Sequence, residues 1–208
     1  EFTCKEIRID NISKEFSIHL LGYNFDENHE KLLETLETRK ENVREVFENL
    51  CKELTERGYS ISRAKIPISC GNVMQLCDVT EYIRRKYPSA SKDIFELIES
   101  YSTKLNAVNI SVEKAIELIH SAGGKAIWAH PFCVYKNFRK IGINREEVER
   151  TLDVLKKMGI DGLEAYYRAF SEEEQTWLYE TARNNQMLYT AGSDFHGSPG
   201  RSTIGVII

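Results

Sequence analysis

Apolar and polar residues alternate along Lys5–Ile9 and again along Phe16–Tyr23, on either side of the polar stretch Asp10–Lys14. That pattern predicts a β-hairpin. From Glu27 to Glu56 the period changes, with Leu32, Leu36, Val43, Phe47, Leu50 and Leu54 recurring at helical spacing among Glu, Lys and Arg. A long amphipathic helix follows, with Gly58 placed to end it. Helical patterns over Val73–Lys86 and Lys92–Lys104 are separated at Pro88. After Ser111 the order is helix 111–122, strand 125–129, helix 145–158, strand 160–166, helix 171–185 and strand 187–192. Such alternation predicts βα units around a parallel sheet or barrel. Ser171 with Glu174 reads as a capping box, and Asn144 as the N-cap of the helix that follows it. The helical stretch 27–110 reads as an insertion within one α/β domain built from 1–26 and 111–208, because single strands on either side cannot form a core alone.

Composition sharpens this picture. The 208 residues, 41% of them hydrophobic, suffice for a sizeable core. With 28 basic against 32 acidic side chains, the net charge of −4 gives no general footprint for duplex DNA or an anionic membrane. No apolar run reaches the ~20 residues needed to span a bilayer. The five cysteines are scattered without a C-x-x-C pair, so a reducing cytoplasm is the expected location.

The five histidines carry most of the candidate chemistry. His130 follows the apolar run Lys125–Ala129 and precedes Pro131, which should hold it extended at a strand's carboxyl end. It reads as a metal ligand or as a hydrogen-bonded structural residue. Asp194 and His196, two apart in a polar Gly-containing loop after a strand, combine a carboxylate with an imidazole, both good ligands for Zn, Mn or Fe. Their alternative is an Asx-type turn with an exposed His. His19 sits on the polar face of its strand, where a satisfied structural residue is the usual outcome. His29, in a solvated helix start, and His120, in a last helical turn where a cation suits the dipole, are assigned no chemistry.

Four segments taken together resemble the PHP (polymerase and histidinol phosphatase) family. They are Ile18–Tyr23, then Ala115–Gly124 running into Ala129-His130-Pro131, then Gly162–Tyr167, and finally Gly192–Gly197. The likeness spans essentially the whole chain and is tightest at 111–198. It implies a distorted (β/α)₇ barrel with a cluster of divalent ions at the strand ends, Mn²⁺ first and Zn²⁺ or Fe²⁺ as alternatives. Glu1, His19, His130, Asp194 and His196 fall on ligand positions, with Glu1 as the bridging carboxylate, and His130, Asp194 and His196 carry the catalysis. The implied activity is phosphoesterase hydrolysis of a small phosphorylated substrate, a nucleotide or short RNA, of the nucleoside 3′,5′-bisphosphate phosphatase or 5′→3′ exoribonuclease type. A non-catalytic module that binds metal or nucleotide is the alternative. Family members carry His-x-His and Thr-Asp-His-Asp motifs upstream of the bridging Glu, and this chain has neither. The expectation is therefore an incomplete barrel lacking its first strands, one tightly held ion at most, and little activity. Relatives also carry Arg and His after an Asn-Val pair, where this chain has Gln75 and Cys77 after Asn72-Val73.

Overall fold

Both periodicities become elements in the computed structural model, which describes residues 1–12, 14–68, 74–137 and 139–193. In chain order these are β1 (Phe2–Thr3), β2 (His19–Tyr23), α1 (Glu30–Glu56), α2 (Leu76–Lys86), α3 (Lys92–Val108), α4 (Val112–Ser121), β3 (Lys125–Trp128), β4 (Cys133–Lys136), β5 (Arg139–Gly142), α5 (Arg145–Lys157), β6 (Gly162–Tyr167), α6 (Glu172–Asn184) and β7 (Leu188–Gly192). Five strands form one sheet in the order β1-β2-β3-β6-β7, and β4 and β5 form a separate ribbon. The expected parallel arrangement holds for β3, β6 and β7, which are joined by helical crossovers. It fails for β1 and β2, which run antiparallel to their neighbours, so the sheet is mixed, and no closed barrel is seen among the described residues.

The first hairpin also differs from expectation. Its paired strand is Phe2–Thr3 rather than Lys5–Ile9, because Phe2 and Thr3 lie opposite Leu20 and His19, whereas the later segment touches its partner only at Ile7 and Phe16. Helix boundaries follow local chemistry closely. Asn144 and Ser171 each close a capping box with a glutamate three residues on, and Gly58 takes φ +90 just past α1. Leu36, expected on the buried stripe of α1, is 40% exposed. Among the described residues, no helix is long and apolar enough to cross a membrane.

Two hydrophobic cores result. One surrounds the sheet and takes Leu32 from α1; the other gathers Val43, Phe47, Leu50 and Leu54 of the same helix with Ile83 of α2 and Ile98 and Tyr101 of α3. The boundary thus crosses α1 between Leu32 and Val43. Two polar ties join the helical part to the sheet part: the Glu6 N–H donates to Asn106 Oδ1 at 2.8 Å, and Arg139 pairs with Glu99 at 2.7 Å. Within the helical part, Arg39 Nη2 donates to Asn109 Oδ1 at 2.9 Å.

At the amino end of β3, Asp161 Oδ1 accepts from Lys125 Nζ at 2.8 Å, while its Oδ2 accepts from the Ala126 N–H at 2.9 Å and lies 2.6 Å from His120 Nε2. His120, read from sequence as a partner of the helix dipole, is therefore a strap between α4 and the sheet. Burial disfavours the Asp161 carboxylate, but Lys125, the amide and His120 outweigh that and lower its pKa. A depressed folded pKa stabilises the protein above the unfolded value near 4 and loses that stabilisation as pH falls through the folded value. Asp161→Asn should accordingly melt below wild type at neutral pH, and the two curves should converge in acid. A gap independent of pH would show that the charge is not the source.

Candidate metal centre

The sheet brings together three side chains far apart in sequence. Ile18 and Leu20 are fully buried in the core, so strand alternation turns His19 to the opposite face, where its side chain is 12% exposed. Thr3 lies directly across from His19, and Glu1, two residues before Thr3, shares its face. Glu1 Oε1 consequently reaches within 2.7 Å of His19 Nδ1. The approach is close but lacks hydrogen-bond alignment, and His19 Nδ1 is a buried nitrogen with no hydrogen bond among the described residues. Burial pushes the Glu1 carboxyl up; His19, His130 and the chain's amino group push it down further, to about 2.

His130 arrives from β3. The Ala129 N–H donates to the His19 carbonyl at 3.0 Å, extending the β2–β3 pairing to the residue before it. His130 then takes φ +32, not the extended backbone expected before a proline. Local bonding overrides that preference: its N–H donates to Glu164 Oε2 at 2.8 Å and its carbonyl accepts from the Cys133 N–H at 2.7 Å. Its ring Nδ1 lies 2.8 Å from the Cys133 carbonyl. A carbonyl only accepts, so Nδ1 carries the proton and Nε2 holds the lone pair, the tautomer in which a histidine binds metal.

The His19 and His130 rings meet edge-on at 5.1 Å. One ligand atom from each of Glu1, His19 and His130 lies within 4.8 Å of the others. Ligands at 2.0–2.2 Å from a tetrahedral ion stand roughly 3–4 Å apart, so small ring rotations would gather this set around a divalent cation. Two imidazoles and a carboxylate with a misaligned buried nitrogen suit Mn, Zn or Fe.

The ribbon β4–β5 was missed in the sequence and forms one wall of the site. Tyr135 exchanges both backbone hydrogen bonds with Ser17, which lays its ring flat on His19 at 4.4 Å and 4°. Lys140 faces Tyr135 across the ribbon and holds its ammonium 5.3 Å from the Tyr167 ring centre. Glu164, 3% exposed, was also missed as a site residue; a carboxylate inside the apolar run Gly162–Tyr167 was the available signal. Of the five residues expected to bind metal, Glu1, His19 and His130 converge, while Asp194 and His196 lie outside the described residues, as does Asn72-Val73.

No protein-family model matches the chain. It is 28% identical over 215 residues to a 5′-3′ exoribonuclease of Haemophilus influenzae, covering 94% of this chain and 73% of that protein. It is 25% identical over 207 residues to a 5′-3′ exoribonuclease of Escherichia coli, covering 91% of this chain and 64% of that one. Among solved structures, an amidohydrolase from Chromobacterium violaceum with bound sulfate and no metal superposes at a TM-score of 0.63 with 21% identity. A protein of Bifidobacterium adolescentis assigned as a metal-dependent phosphoesterase superposes at 0.55 with 18% identity. Each alignment covers 96% of this chain and 68% of the other, and these two likenesses speak to the fold.

Proposed function

We propose that the chain is part of a metal-dependent phosphoesterase of the PHP family that hydrolyses phosphate esters of nucleotides or short RNA. The convergence of Glu1, His19 and His130 at one end of the sheet carries this reading, and the similarity to 5′-3′ exoribonucleases supports the substrate class. Glu1, His19 and His130 would hold one divalent ion, Mn²⁺ first. Asp194 and His196 are assigned to ligand positions of further ions, and the mixed sheet to an incomplete distorted (β/α)₇ barrel.

A divalent ion in such a site supplies Lewis acidity toward phosphoryl oxygens and a water acidified to near-neutral pKa. The protein's own work is positional. Tyr135 fixes the His19 ring plane, the Cys133 carbonyl fixes the His130 tautomer, and the depressed Glu1 carboxyl stays ionised across the physiological range. Lys140 remains cationic beside the wall, because Cys133 and Tyr167 raise its pKa against the effect of burial. It is placed to attract a phosphate.

The test is hydrolysis of a nucleoside 3′,5′-bisphosphate and of a 5′-phosphorylated oligoribonucleotide by chelator-treated protein, with and without added Mn²⁺. Weak hydrolysis that returns only with the metal is expected. Protein that takes up no divalent ion and cleaves neither substrate would refute the reading.

We also assign residues 27–110 to a lid subdomain that packs over the barrel mouth rather than standing apart. Its support is the pair of ties from Asn106 to Glu6 and from Glu99 to Arg139 on the sheet side. Limited proteolysis should not release it as a folded piece. A stable, separately folding 27–110 fragment would show that its own core is sufficient.

A further inference from the structure

We propose that Glu164 is a positioning residue for His130: it holds that residue's main chain in the left-handed region, so that the imidazole faces Glu1 and His19. The proposal rests on reading those three residues as a metal site. Three independent features converge on it.

The first is the bond itself. His130 is a non-glycine residue at φ +32, a conformation unfavourable for an L-residue unless its surroundings impose it. Glu164 Oε2 accepts its N–H at 2.8 Å inside the protein.

The second is strand phase. In a regular strand Glu164 and Tyr167, three apart, would point to opposite faces. Pairing between β6 and β7 shifts here, from Glu164 opposite Thr190 to Tyr166 opposite Ala191, so β6 carries one extra residue. This bulge changes the phase and lets both side chains reach His130, Glu164 at its N–H and Tyr167 at its ring, with centroids 5.7 Å apart.

The third is the space beside it. On the neighbouring strand, a Cβ built on Gly192 would overlap Glu164 Oε1. Glycine at this position keeps the place that the carboxylate occupies. Ligand-orienting groups of this kind typically change metal affinity 10–100-fold when removed.

Co²⁺ is the probe, titrated spectroscopically into the metal-free chain, its Glu164→Gln and Glu164→Ala variants, and Gly192→Ala alone and combined with Glu164→Ala. The His130 amide and ring resonances are followed by NMR without metal. Glu164→Ala should weaken Co²⁺ binding ~10–100-fold and move the His130 signals. Glu164→Gln keeps an acceptor oxygen and should restore most of both. Gly192→Ala should weaken binding in the wild type and add little to Glu164→Ala, where the crowded carboxylate is already gone. Should Glu164→Ala not fold, Glu164→Asp, which keeps the carboxyl group but shortens the reach, takes its place with the same expectation. Unmoved His130 signals in the Ala variant, or equal losses in Gln and Ala, would overturn the proposal. If the wild type binds no Co²⁺, the metal reading fails and the NMR result alone decides on Glu164: moved signals support it, unmoved signals overturn it.

Discussion

His130→Asn should remove metal uptake at the centre and, with it, the weak metal-dependent hydrolysis expected of this chain, while the metal-free protein melts close to wild type. Loss of a divalent ion forfeits several kcal/mol of charge stabilisation, and each ~1.4 kcal/mol is a factor of ten in rate. Asparagine is the informative replacement. At φ +32 an alanine adds backbone strain of its own, whereas asparagine tolerates the left-handed region and keeps the N–H that Glu164 accepts. His19→Ala should behave alike, since it removes the ring that Glu1 approaches at 2.7 Å. Hydrolysis that persists at the wild-type rate in both variants would place the chemistry elsewhere.

Trp128→Ala should cost about 3–5 kcal/mol of stability and lower the melting temperature by roughly 6–20 °C for a chain of this size. Trp128 is fully buried in β3, with Leu20 of β2 on one side and Leu163 of β6 on the other, two residues before His130. No rim of solvent is available to fill the hole. Trp128→Phe should cost distinctly less than alanine: it restores most of the packing and removes an indole N–H that is buried without a hydrogen-bond partner among the described residues. Thermal melts of the two variants check this, and equal losses would mean that ring volume does not govern the site.

The segments with strong periodicity were legible in the sequence, and those whose fold depends on distant pairing were not. Residues 145–157 and 172–184 announce themselves through caps at Asn144 and Ser171 and an apolar stripe, all within a few residues. The ribbon at 133–142 has no such local signal. Its outward positions Lys136, Arg139 and Lys140 mask the alternation, and its attachment comes from Ser17, distant in sequence. Among the ligands, Glu1, His19 and His130 were named on resemblance, since their own residue types left a structural role open. Glu164 escaped because the six-residue run Gly162–Tyr167 reads as a strand whether its carboxyl group is buried or solvated. The backbone of His130 was misjudged because the rule for residues before proline is local, whereas the bond that overrides it comes from β6.

The helical core enclosed between β2 and β3 also bears on how the chain finds its fold. Pairing Tyr23 with Lys125 closes a loop of ~100 residues, an entropic cost of about 4 kcal/mol for a flexible chain. In the folded chain the Arg39 to Asn109 bond holds the entry of that helical core near its exit, which shortens the gap that the β2–β3 pairing has to span. Bringing ligands so distant in the chain into one site is still a non-local step, of the kind that slows folding.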